Sequence, residues 1–204
     1  MKFEFLNKCL LIENKEKILV LGDLHLGYEE SLNEQGIFIP RQQFEIILNE
    51  LGKIFARTGK LEEIVILGDL KHEFGSISEQ EWNETLEILD FLKRHSKNVI
   101  LIKGNHDTIL GPIAKRKDIA LKDFYKTNGI CFLHGDKLFP ECLNKDVKML
   151  IMGHRHPAVF LQDKYKKEKY KCFLQGKWKN TNISNEKYGG WGKTQIPMVS
   201  SRRR

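Results

Sequence analysis

Five times along this chain a short apolar run ends in a junction carrying histidine, aspartate or asparagine beside a glycine. The junctions are Gly22-Asp23-Leu24-His25, Gly68-Asp69-Leu70-Lys71-His72, Gly104-Asn105-His106-Asp107, His134-Gly135-Asp136 and Gly153-His154-Arg155-His156. The runs before them, among them ILVL, EIVIL, NVILIK and KMLIM, have the length and branched content of buried strands. Polar groups at adjacent strand ends converge on one crevice, and glycine permits the tight backbone there.

Other periodicities fill the space between the runs. Lys2 to Leu6 and Lys8 to Ile12 read as strands, and the chain turns through 13–16 into Lys17 to Leu21. A loop spans Gly27 to Pro40, in which Ile37, Phe38 and Ile39 could form a lid or a dimer contact, although core packing where the next helix begins is the simpler account. Pro40 then opens a helix whose Phe44, Ile47, Leu48, Leu51, Ile54 and Phe55 share one face, and Gly59 ends it. Ser78 with Glu81 forms a capping-box pattern for a second helix through about His95, whose ring is placed to meet the last carbonyls. Ile119 to Tyr125 and Gly129 to Leu133 flank an Asn128-Gly129 turn, and Ala158 to Leu161 and Tyr170 to Leu174 read as further strands. Strands alternate with helices early and follow one another later, which predicts an α+β fold of two sheets packed face to face with helices outside. Residues 1–176 form one catalytic domain in this reading, and 177–204 a polar tail expected to be poorly ordered.

Composition agrees with a globular protein: 41% of residues are hydrophobic and 30% charged. No run approaches the roughly 18 apolar residues of a membrane span. The first residues lack a tripartite signal pattern, so the expected location is the cytoplasm. Cys9, Cys131, Cys142 and Cys172 show no CxxC spacing and are expected to be buried reduced thiols. The net charge of +7 favours polyanionic partners only weakly.

A lone histidine is usually a surface or core residue. Here six of the seven, all but His95, coincide with Asp23, Asp69, Asn105 and Asp107 at successive strand ends. Packing alone gives no reason to collect so many groups that must be desolvated or paired. Divalent metal gives one, since imidazole and carboxylate donors make a mixed site suited to manganese, iron, zinc or a similar ion. In Asp23-Leu24-His25 and His154-Arg155-His156, an extended backbone would turn the outer two side chains to one side.

GDLHLG, GDLKH, GNHD, HGD and GHRH resemble, in order and approximate spacing, the five motifs of the calcineurin-like metallophosphoesterases. The resemblance implies a four-layer α/β-β/α sandwich and a centre of two divalent metal ions, manganese first among them, with iron, zinc, nickel or magnesium as alternatives. Asp23, His25 and His156 would hold one ion, Asn105, His134 and His154 the other, and Asp69 would bridge them. His106 would be the catalytic acid and Asp107 the partner that orients it. The implied reaction is in-line attack of an activated water on phosphorus, with His106 protonating the leaving alkoxide.

His72 directs the expected substrate. GDLKH resembles the GDLFH-type motif of SbcD-like repair nucleases, in which the extra histidine helps position a nucleic-acid strand. The wider sequence is similar to small archaeal SbcD-related phosphoesterases, which implies a phosphodiesterase acting on DNA or RNA. A phosphatase or small-molecule phosphodiesterase is the alternative, and a non-catalytic metal-binding scaffold the second. No SbcC-like ATPase partner is expected, because the docking segments of that family lie beyond the core, and a homodimer is expected by analogy alone. Lys164, Lys166, Lys167, Lys169 and Lys171, interleaved with Tyr165 and Tyr170, could track phosphates, although a solvated strand edge is the plainer account.

Overall fold

The computed structural model describes residues 1–73 and 77–176, together with the backbone of Ile196–Met198. β1 (Lys2–Leu6), β2 (Cys9–Glu13) and β3 (Lys17–Leu21) form an antiparallel meander. β4 (Leu61–Ile66), β5 (Ser96–Ile102) and β6 (Ala120–Lys122) continue the sheet in parallel from β3, giving the order β1-β2-β3-β4-β5-β6. Parallel neighbours need crossovers. These are α1 (Tyr28–Glu34) with α2 (Gln43–Thr58), then α3 (Glu79–His95), then α4 (Leu110–Arg116).

A second sheet contains β7 (Phe124–Thr127), β8 (Ile130–Leu133), β9 (Met149–Met152), β12 (Leu174–Gly176) and β13 (Ile196–Met198), in the order β12-β13-β9-β8-β7. β10 (Ala158–Gln162) and β11 (Lys167–Lys171) pair only with each other, as a hairpin outside both sheets.

Strand alternation sorts the apolar side chains into layers. Leu19, Leu21, Ile64, Ile66 and Leu101 face the helices and pack with Leu51, Ile54, Phe55, Ile88, Leu89 and Leu92. Ile18, Val20, Val65, Leu67, Ile100 and Ile102 face the other way, onto Ile130, Phe132 and Ile151 of the second sheet. That middle layer fixes the two sheets face to face, as the sequence predicted. On the outer side of the second sheet, Cys131, Leu133, Leu150 and Met152 pack with Phe139, Leu143 and Val147 around the 3-10 turn Pro140–Leu143.

Several local expectations are corrected. The loop after Gly27 contains α1, and α4 was not foreseen at all. Gly27, with φ 81, caps the start of α1, and Glu29 and Glu30 in its first turn favour the positive end of the helix. Ile119 to Tyr125 is not one strand: it breaks at Asp123, so that β6 joins the first sheet and β7 the second. Tyr170 to Leu174 similarly divides between β11 and β12. Ile37 and Phe38 are exposed rather than packed where α2 begins, Phe38 at 88%. Cys131 and Cys142 are joined by a disulfide, not held as thiols, because the 3-10 turn returns to the outer face of β8. Cys9 is a free, buried thiol. His95 stands as expected, its Nδ1 donating to the Phe91 carbonyl at 2.9 Å.

Within the expected tail, Ile196–Met198 forms a strand beside β9 and β12. The remainder of that expectation, 177–195 and 199–204, lies outside the described residues. Among the described residues no helix is long and apolar enough to cross a membrane.

Candidate metal centre

The junctions follow β3, β4 and β5, which run parallel in the first sheet, and β8 and β9, which run parallel in the second. The loops after β3 and β4 stay paired past the strands. The amides of Asp23, His25 and Leu26 donate to the carbonyls of Gly68, Asp69 and Leu70 at 3.0, 3.0 and 2.9 Å. Asp23 takes both of its carboxylate oxygens to the His154 amide at 3.1 Å, tying the first sheet to the second across the site. Asp69 accepts from the His106 amide at 3.1 Å, which ties in the loop after β5.

Five of the site residues do not use extended backbone. Asp23, His25, Asp69, His154 and His156 have φ of 53, 47, 47, 64 and 42°, in the left-handed region that costs a non-glycine residue energy. The outer side chains of Asp23-Leu24-His25 and His154-Arg155-His156 therefore converge by tight turns, which corrects the expectation of a pleated pairing. Gly68 shows how close the packing is: a Cβ there would lie 2.7 Å from both the Gly104 nitrogen and His134 Nδ1.

Donor atoms gather into three overlapping groups. Asp23, His25, Asp69 and His156 offer atoms within 4.8 Å of one another, as do Asp69, His134 and His154, and His25, His72 and His106. Asp69 belongs to both of the first two. Asn105 extends the second group, its Oδ1 lying 2.9 Å from His134 Nε2. His134 Nδ1 donates to the Leu67 carbonyl at 2.7 Å, which fixes the tautomer and leaves Nε2 facing Asp69 Oδ1 at 3.4 Å.

The donor chemistry fits a divalent cation. Asp23, His25, Asp69 and His134 are almost wholly buried. Burial pushes the Asp23 carboxyl up to about 8, with Asp69 and Asp107 adding repulsion while the His154 amide and Lys171 oppose it. Burial also pushes His154 down, with the neighbouring His134 acting the same way, so its imidazole is kept neutral. Neutral imidazoles gathered beside buried carboxylates are what a bound cation requires.

The remaining predicted residues sit beside these groups. His106 Nδ1 donates to the His72 carbonyl, and its Nε2 lies 3.8 Å from Asp69 Oδ2. The His72 ring stacks on that of His106 with centroids 5.7 Å apart. The Asp107 carboxylate bonds to backbone amides: its Oδ2 accepts from the Gly104 amide at 2.9 Å and its Oδ1 from the Leu70 and Lys71 amides at 3.1 and 3.4 Å. It ties the turn that carries His106 to the turn that carries His72. Burial raises its carboxyl to about 7.

Three neighbours were missed as site residues. Glu81 was read only as the helix-capping partner of Ser78, and Ser78 Oγ does accept from the Glu81 amide at 3.1 Å. The buried Glu81 carboxylate, however, turns to the site and accepts from the amides of His72 and Glu73 at 2.7 and 3.1 Å. Tyr28 meets the His72 ring edge-on with centroids 4.8 Å apart. Lys71 is fully buried, and its ammonium donates to the Glu73 carbonyl. Its place inside the GDLKH motif was the one available signal.

The family model described as calcineurin-like phosphoesterase matches residues 16–170. No curated protein sequence matches the chain. Among solved structures, the chain is similar to the Pseudomonas putida nuclease MPE, at 20% identity and a TM-score of 0.62 over 96% of this chain and 80% of that one. It is also similar to YfcE, a phosphoesterase from E. coli, at 16% identity and a TM-score of 0.46 over 90% of this chain and 77% of that one.

Proposed function

The chain belongs to the calcineurin-like phosphoesterase family, and within that family we propose that it is a metal-dependent phosphodiesterase that cleaves DNA or RNA. The observation that carries the reading is the sharing of Asp69 between two groups of donors. Asp23, His25, Asp69 and His156 would hold one divalent cation, and Asp69, Asn105, His134 and His154 the other, with manganese the first candidate for this mixed donor set. The two ions, when bound, supply charge to the phosphoryl oxygens and lower the pKa of the attacking water.

The protein's own groups do the rest. With His106 Nδ1 committed to the His72 carbonyl, Nε2 is the atom left to carry a proton to the leaving alkoxide. Asp107 and Glu81 hold the two loops that set this pair by accepting from their backbone amides. His72 adds an imidazole beside His106, which supports a substrate extending past the phosphoryl group. The fold likeness to a nuclease is in keeping with a nucleic-acid substrate.

Incubation with manganese and either single-stranded DNA, RNA, cyclic nucleotides, phosphomonoesters or bis-p-nitrophenyl phosphate tests the proposal. Cleavage of an oligonucleotide is the expected result. Turnover of small esters only would replace the nuclease reading by a phosphatase or small-molecule phosphodiesterase. Metal binding without hydrolysis of any ester would leave a scaffold.

A further inference from the structure

The β10–β11 hairpin begins two residues after His156 and stands outside both sheets. Its register places Ala158 opposite Lys171, Phe160 opposite Lys169 and Gln162 opposite Lys167. Cross-strand partners share a face. One face therefore carries Phe160 among Lys167, Lys169 and Lys171, and Val159, Leu161, Glu168 and Tyr170 take the other. The Lys167 ammonium lies 4.7 Å from the Phe160 ring centroid and that of Lys169 lies 5.8 Å away, yet the ring remains 56% exposed. The ring thus stands open between two ammonium groups on this face.

The row also has a direction. Alternate residues of a strand recur every roughly 6.8 Å along one face, a spacing comparable to that of successive phosphates in an extended strand. Lys171 lies at the end of the row nearest His156, where the Cys172 amide donates to the Pro157 carbonyl at 3.0 Å. Charge complementarity and continuity with the centre both favour a polyanionic strand leading to the metal ions. An open ring favours unpaired bases, which can stack on it.

We propose that the face formed by Phe160, Lys167, Lys169 and Lys171 is a docking track for single-stranded nucleic acid that delivers the strand to the metal centre. It rests on reading that centre as a nucleic-acid phosphodiesterase. The lysines hold successive phosphates and Phe160 stacks one base.

The test titrates the full-length, manganese-loaded protein with fluorescent oligothymidylate carrying phosphorothioate linkages, across a salt series. Lys167→Ala combined with Lys169→Ala is expected to weaken binding by about tenfold or more at low salt and to make the salt slope shallower by about 1.4, the share of two contacts on a single strand. Phe160→Ala is expected to weaken it about fivefold or more, and Phe160→Trp to retain it. These side chains are exposed, and a thermal melt matching the parent's verifies folding. Unchanged affinity and slope in the lysine variant overturn the proposal, as does binding to anionic phospholipid vesicles in preference to the oligonucleotide. Cleavage of unmodified DNA and RNA oligonucleotides by the unaltered protein is measured alongside. Its absence removes the proposed function, whereas normal hydrolysis with unchanged oligonucleotide binding in the variants removes the docking track alone.

Discussion

His106 Nδ1 donates its proton to the backbone carbonyl of His72. The bond couples two loops and fixes which ring nitrogen of His106 faces Asp69. His106→Ala is expected to keep metal content near that of the parent while turnover of a diester falls about 10²–10⁴-fold. Elemental analysis and steady-state kinetics check the two halves, and unchanged turnover would remove His106 from the acid role.

Glu81 reaches the same pair through the chain. Its Oε1 alone accepts from the amides of His72 and Glu73. Glu81→Ala leaves the Glu73 amide without this acceptor, while the His72 amide keeps the Leu26 carbonyl at 2.9 Å, at a cost of about 1–3 kcal/mol, and lets the His72 carbonyl drift from His106. Lower melting temperature and lower kcat are expected, with metal content retained. Glu81→Gln keeps an oxygen at that position, so its kcat should lie much nearer the parent's. Equal loss in both variants would show that the carboxylate charge, not the amide anchor, matters.

The pH dependence of stability has a defined sign. Asp23 is raised from 3.8 to about 8 and Asp107 from 3.8 to about 7, so the folded, metal-free protein keeps protons that the unfolded chain has released. Their stabilising contribution is present at low pH and lost as pH rises through those values. His154, lowered from 6.5, acts in the opposite sense below that pH. The clear window therefore lies between about 6.5 and about 8, where the melting temperature of chelator-treated protein is expected to fall. Manganese should flatten the fall, and a rise in the chelated protein would contradict the assignment.

β13 lies between β12 and β9. A chain ending near Gly176 loses that strand and leaves an edge of β9 open. Its melting temperature is expected to drop, by about 2–4 °C for each kcal/mol lost. An unchanged melt would show that Ile196–Met198 adds nothing to the second sheet.

The five junctions were legible because each combines an apolar strand with polar groups at its end, and both signals are local. α2 and α3 were legible for the same reason, through apolar spacing and the Ser78 and Gly59 boundaries. α1 and α4, at seven residues each, are too short to display a period. The switch of sheets at Asp123 and the pairing of Cys131 with Cys142 depend on contacts distant in sequence. The left-handed backbone of Asp23, His25, Asp69, His154 and His156 was illegible because aspartate and histidine seldom adopt it unless the surroundings impose it. Glu81 and Asp107 were visible as residues but not in their roles, since each acts on backbone amides, which any sequence supplies.

The central claim is a centre of two ions joined by Asp69. Calorimetric titration of manganese into chelator-treated protein measures it most directly. Two ions per chain are expected, with both sites weakened by Asp69→Asn because that residue belongs to both groups of donors. A single ion per chain, or two ions bound as tightly by the variant as by the parent, would contradict the shared centre.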